Sequence, residues 1–146
     1  MLQLHGDQLF ANWQQVCAQI LAKPFPPQTS DFPPQTLEQD RHLSFKNYSN
    51  WELVCQEILD TEFSHVYYQR CHDELRQRGK TEQDIFEMRS VAWHTVGWFN
   101  YPMMVWDWTN LDESDIHRAI TWLLAEKQIS PEKSQEFTDF VARHAD

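Results

Sequence analysis

The chain has 146 residues, a formal net charge of −10, 41% hydrophobic and 14% aromatic residues, and only three glycines. This length and hydrophobic content predict one folded domain, 1–146, rather than a disordered chain. The negative charge argues against nucleic acids and anionic membranes as partners, because both attract clustered Lys and Arg. The scarcity of glycine argues against hairpins and phosphate-binding loops and favours helices.

The cysteine pattern predicts a reducing compartment. Cys17, Cys55 and Cys71 are odd in number and form no C-x-x-C pair, so buried free thiols are expected rather than a disulfide framework. The segment 1–5 has no basic region followed by an apolar run, and no stretch approaches the ~18 apolar residues of a membrane span. The predicted location is therefore the cytoplasm.

The first predicted helix runs from about Asp7, as N-cap, to Ala22, and stops at Lys23-Pro24. Apolar residues recur along it at the three- and four-residue spacing of a buried helix face. The residues expected to face inward are Leu9, Trp13, Val16, Cys17, Ile20 and Leu21.

A Pro-rich linker, 23–48, follows and contains a short repeat. Phe25-Pro26-Pro27-Gln28-Thr29 recurs as Phe32-Pro33-Pro34-Gln35-Thr36. Tandem prolines favour an extended polyproline II conformation, in which the two Phe residues lie ~20 Å apart. One hypothesis is a docking strip for a partner; the favoured one is an extended crossover between helix 1 and helix 2, held to the bundle by its own two Phe residues.

The middle of the chain predicts two helices. Ser49 and Glu52 fit a capping box, and the helix that follows should reach about Arg78, with Gly79 as the C′ residue. An unbroken helix of this length would extend roughly 43 Å, so a helix with a bend is the alternative. Thr81 caps a third helix, about 82–99, that is apolar around most of its circumference, as expected for a central helix. Its apolar residues are Ile85, Phe86, Met88, Ala92, Trp93, Val96 and Phe99.

Two helices complete the prediction. Pro102 ends the third helix, and 103–111 is expected to be irregular. Asp112 or Ser114 caps a fourth helix to about Gln128, and Ser130-Pro131 begins a fifth that ends near His144. The predicted fold is an all-α compact bundle of about five helices.

The segment 93–108 is the most unusual feature of the sequence, with four of the seven Trp residues together with a Phe, a Tyr and two Met. It is either the centre of the core or a recognition surface. Aromatic side chains beside carboxylates form a patch suited to a basic partner, because Trp supplies contact area and the acids steer cations. The predicted partner-binding residues are Trp106, Asp107, Trp108, Asp112, Glu113 and Asp115. The alternative is that the two Trp residues close the bundle and the acids cap a helix.

The alternative chemistry is a metal site. Glu62 and His65 form the E-x-x-H spacing of helical metal sites, and His72 follows seven residues after His65, on the same side of a helix. His117, with Glu113 one turn away, would complete a His/Glu site for a divalent metal, and His94 is a further candidate ligand. The sequence contains no G-x-S-x-G, G-x-G-x-x-G or P-loop pattern.

No residue pattern therefore identifies a reaction. The leading hypothesis is a non-catalytic cytoplasmic protein-interaction module that binds another protein with a basic patch, as an inhibitor, an antidote or a nucleic-acid mimic, without a cofactor. The alternative is a helical-bundle metalloprotein, with a metal-dependent hydrolase as one form. A third hypothesis is a homodimer that buries the aromatic segment.

Overall fold

A computed structural model of the protein describes residues 3–25, 45–59, 65–101 and 111–145, with side chains described from Leu9 onward. These residues form helices and no strand, which confirms the all-α prediction, with six helices where about five were expected. The helices are α1 (Gln3–Ala22), α2 (Asn50–Cys55), α3 (His65–Gln77), α4 (Glu82–Ala92), α5 (Glu113–Ala125) and α6 (Pro131–Arg143). None of the helices in these ranges combines the length and apolar character that crossing a membrane requires.

Helix α4 is central, as its apolar circumference predicts. It contacts α1, α2 and α3, and its continuation contacts α1 and α5, while α5 pairs with α6. The core between them is made of large apolar side chains from every helix. Trp51, Ile58, Met88, Ile116 and Leu123 are among those with no exposed surface.

Most predicted helix ends are confirmed, because they depend on local chemistry. Ser49 and Glu52 close a capping box at α2, and Thr81 closes one with Asp84 at α4. Ser130 caps α6 with Pro131 at the first helical position. Gly79 adopts a φ of +93° after α3, where the amides of Gly79 and Lys80 donate to the carbonyls of Arg76 and Leu75.

The same C-terminal motif ends α5, although no glycine is present there. Lys127 has a φ of +58°, and the amides of Lys127 and Gln128 donate to the carbonyls of Leu124 and Leu123. The helix therefore stops at Ala125, three residues before the predicted end.

Two predictions for α1 were wrong. The helix begins at Gln3, so Asp7 lies inside it rather than at its cap. Leu9 and Val16, expected to face inward, are each 40% exposed, whereas Phe10 is buried in an edge-to-face contact with Trp98. The buried residues of α1 form a narrower stripe than its apolar residues do. The reason is that α1 packs on one side only, through Phe10, Trp13 and Cys17.

The long second helix predicted for 49–78 is broken. α2 ends at Cys55 and α3 begins at His65, with a turn at 56–59. Gln56 stabilises this turn through its side chain, which donates to the carbonyl of Glu52 and accepts from the hydroxyl of Tyr67. The hydroxyl of Tyr101 donates to the carbonyl of Ile58, so tertiary contacts replace the helical hydrogen bonds.

The Pro-rich linker lies within the described residues only at its ends. Phe25, the first Phe of the repeat, contacts Tyr68 and lies under the guanidinium of Arg89, 4.4 Å from its ring centroid. This contact agrees with the favoured hypothesis that the linker is held by its own Phe residues. Phe32 and the second copy of the repeat lie outside the described residues.

Helix α4 continues through a π-helical turn, Trp93–Gly97, into an α-helical turn, Trp98–Asn100. Side chains hydrogen-bond carbonyls around this turn: Thr95 donates to Val91, and the indole of Trp13 donates to Trp93, both at 2.8 Å. Gly97 is required here, since a Cβ would lie 2.9 Å from Trp93 and 3.1 Å from Trp13. A π turn is a feature found frequently at functional sites.

Candidate partner-binding surface

The acidic residues predicted to bind a partner begin α5, where two of them have structural roles. Asp112 is the N-cap, and its carboxylate accepts from the amides of Ser114 and Asp115. Asp115 accepts from the amide of Asp112 at 3.0 Å and from Arg118 at 2.6 Å. Glu113 is half-buried in the same turn. The carboxylates are therefore held in fixed positions, as the helix-capping alternative predicts.

Trp106, Asp107 and Trp108 lie outside the described residues. The residues that flank this segment are held in the body of the protein. Tyr101 stacks on Trp13 and Trp93, with ring centroids 6.1 and 5.9 Å apart, and Leu111 is buried. The part of the aromatic segment that is described, 93–101, therefore belongs largely to the core.

A Trp residue that sequence reasoning missed lies on the outer face of α5. Trp122 is 38% exposed, and its ring contacts that of Phe99 edge to face at 5.9 Å. Asp115 lies seven residues before it and Glu126 four residues after it, so the three side chains share one side of the helix. The signal was present in the sequence, because the buried positions Ile116, Ala119, Ile120 and Leu123 leave Trp122 facing outward.

We call the set of Asp115, Trp122 and Glu126 the α5 face. Glu126 is exposed to water, whereas the side chain of Asp115 is only 17% exposed and pairs with Arg118. Every Lys and Arg of the chain except Arg41 lies in the described residues, so this part of the molecule is closer to neutral than the whole chain. The pair of carboxylates on the α5 face is therefore a local concentration of negative charge, and not a sample of a uniformly acidic surface.

The structure does not bring together those residues of the predicted metal site that it describes. Glu62 lies outside the described residues, and no three His, Cys, Asp or Glu side chains within the described ranges form a group able to hold a metal ion. His72 is buried on α3, with its Nε2 atom 3.0 Å from the carboxylate of Glu82. His117 is exposed on α5. The metal site stays a prediction, which elemental analysis of protein purified without a metal-affinity tag would test.

The three thiols are buried and free. Burial raises the pKa of Cys17 to about 12, and burial together with the charge of Asp115 raises the pKa of Cys55 well above its usual range. Because the thiolate is the nucleophile, both thiols are protonated and unreactive near neutral pH. They act as small apolar core residues.

Comparison of the chain with known protein families, characterised proteins and solved structures finds no significant match.

Proposed function

We propose that the protein is a non-catalytic interaction module that binds a basic segment of another protein on the α5 face. The observation that carries the proposal is the exposed indole of Trp122 in line with Asp115 and Glu126. A Lys or Arg side chain can stack on an indole while neighbouring carboxylates compensate its charge. Trp is also among the residues that dominate binding energy at protein interfaces.

The surroundings of Trp122 support a preorganised surface. The edge-to-face contact with Phe99 restricts the indole, and the capping box at Asp112 fixes the first turn of α5. A surface that is already ordered loses less conformational entropy on binding. Trp106, Asp107 and Trp108 precede α5 by a few residues and belong to the same proposal as further partner contacts.

The proposed compartment is the cytoplasm. Free thiols that are buried in three different helices are typical of proteins from reducing compartments. The proposed forms of the module, an inhibitor, an antidote or a nucleic-acid mimic, share a basic partner and need no cofactor.

The direct test uses a synthetic Lys- and Arg-rich peptide and an acidic peptide of the same length as control. We expect the basic peptide to shift the indole N–H signal of Trp122 in NMR spectra, with an affinity that falls as salt concentration rises. Trp122→Ala should weaken binding by about tenfold or more, and Glu126→Gln should weaken it less. Leu9→Ala is the matched control, because Leu9 is equally exposed on another helix.

Two results would overturn the proposal. One is binding of the basic peptide that is unchanged in Trp122→Ala, with circular dichroism showing that the variant is folded. The other is an indole signal of Trp122 that shifts with protein concentration alone, since that result assigns the α5 face to a homodimer. Sedimentation at several concentrations would detect such a dimer independently.

A further inference from the structure

His94 is held in one orientation by the π turn of α4. Its Nδ1 atom lies 2.7 Å from the carbonyl oxygen of Ser90, and a carbonyl only accepts hydrogen bonds. The proton of the neutral ring is therefore on Nδ1, and Nε2 carries a lone pair. No described residue hydrogen-bonds Nε2. Burial lowers the pKa of His94, the bond to Ser90 opposes this effect, and the charge of Lys133 lowers the pKa further, so the ring is neutral near pH 7.

His94 lines a cavity of about 390 Å³ between α1, α4 and the start of α6. This volume is in the range of small-molecule sites, which combine apolar walls with a few polar groups. The apolar walls are Phe10, Ile129 and Phe137, and the polar groups besides His94 include Lys133 and the amides of Gln14 and Gln128.

Lys133 supplies the positive charge of the cavity. Its ammonium lies over the ring of Phe137, 5.0 Å from the centroid, and 3.3 Å from the carboxylate of Glu136. Glu136 is 66% exposed, so water screens this ion pair and leaves the ammonium available to a second anion.

We propose that this cavity binds a small aromatic hydroxy acid. The carboxylate of the ligand pairs with Lys133, its ring packs against Phe10 and Phe137, and its hydroxyl donates to Nε2 of His94. A neutral imidazole with a free lone pair accepts from a hydroxyl, whereas a second carboxylate would offer it no proton. The site is separate from the α5 face, so this proposal does not depend on the proposed function.

The test measures binding of 3- and 4-hydroxybenzoate by calorimetry and follows the ring signals of His94 by NMR. Benzoate lacks the hydroxyl, and we expect it to bind about fivefold more weakly. The methyl esters lack the negative charge, and we expect them to bind about tenfold more weakly than the acids.

Two variants separate ligand binding from a structural role. His94→Asn keeps an N–H donor for the Ser90 carbonyl but has no atom at the position of Nε2, so it should abolish the difference between the hydroxybenzoates and benzoate. Lys133→Met should abolish the difference between the acids and their esters; because Lys133 is exposed, this variant folds even if His94→Asn does not. His117→Asn and Lys23→Met, at exposed positions, are the matched controls.

The proposal is overturned if neither 3-hydroxybenzoate nor 4-hydroxybenzoate binds saturably at millimolar concentration. It is also overturned if Lys133→Met and Lys23→Met bind the acids equally well. Binding that leaves the His94 ring signals unchanged would place the ligand elsewhere and overturn it too.

Discussion

Two charged clusters join α4 to preceding parts of the chain, and they differ mainly in burial. Arg89 donates two hydrogen bonds to Glu57, at 2.6 and 3.1 Å, and the two side chains are only 7% and 8% exposed. Seven residues earlier on the same helix, Glu82 accepts from Arg76 and lies 3.0 Å from His72, but its side chain is 60% exposed. The same type of interaction is thus found inside the protein at Arg89 and at its surface at Glu82.

The comparison shows that the surroundings of an ion pair determine its contribution to folding. Around Glu82, water solvates the charges whether or not they pair, so the pair contributes little. Around Arg89, the aromatic ring of Phe25 covers the guanidinium, and the loss of either partner leaves a buried charge without compensation. Burial makes the inner pair intolerant of change rather than strongly stabilising in itself.

The largest effect is expected from breaking the buried pair. Glu57→Ala should reduce the free energy of unfolding by about 3–5 kcal/mol, because Arg89 keeps its charge in a site that is almost closed to solvent. Glu57→Gln retains an acceptor and should cost less. Urea denaturation measures both, and a loss below about 1 kcal/mol for Glu57→Ala would show that water reaches Arg89.

An intermediate loss of stability is expected from removing the ring of Phe25, which packs against the guanidinium of Arg89. Phe25→Ala should cost about 1–2 kcal/mol, since it removes the cation–π contact with Arg89 and the ring contact with Tyr68. Phe86→Ala is the matched control, because Phe86 is 44% exposed and should cost less. Equal losses in the two variants would mean that Phe25 contributes only its apolar area.

The smallest effect is expected at the surface cluster. Slight burial opposes ionisation of Glu82, but the hydrogen bonds from His72 and Arg76 outweigh it and lower the pKa of Glu82 below its usual 4.5. A carboxyl whose pKa is lowered by folding contributes stability above its unfolded pKa and loses it as pH falls through the folded value.

Glu82→Gln should therefore cost about 0.5 kcal/mol at neutral pH and low salt, and the cost should disappear as the pH falls through the lowered pKa of Glu82 or in about 1 M salt. Urea denaturation of the wild type and the variant at several pH values measures this difference. A difference that persists at acidic pH would contradict the assignment to ionised Glu82.

The sequence predicted those parts of the fold that depend on local chemistry. The caps at Ser49, Thr81 and Ser130 and the glycine end of α3 were located correctly, since each involves residues within one helical turn. The end of α5 was not, because Lys127 is an unusual residue for a positive φ and so gave no sequence signal for the end of a helix. Lys127→Gly should accordingly raise the free energy of unfolding by up to about 1 kcal/mol, measured by urea denaturation.

The features that sequence reasoning missed depend on contacts between distant residues. The break after α2 is stabilised by hydrogen bonds that Tyr67 and Tyr101 donate. The π turn is stabilised by a hydrogen bond from Trp13 to the carbonyl of Trp93, which lies eighty residues later in the chain. The cavity at His94 combines three parts of the chain, so no single motif marks it. Trp122 is the exception, because its outward position follows from the periodicity of α5.

The three buried thiols provide site-specific probes of local opening without any engineering. Cys17, Cys55 and Cys71 lie on α1, α2 and α3, and each is at most 3% exposed. An alkylating reagent can modify each thiol only when its own helix opens, so the labelling rate of each cysteine reports the opening of that helix. Equal rates would mean that the helices open together. Faster labelling of Cys17 would show that α1 detaches while α2 and α3 stay folded.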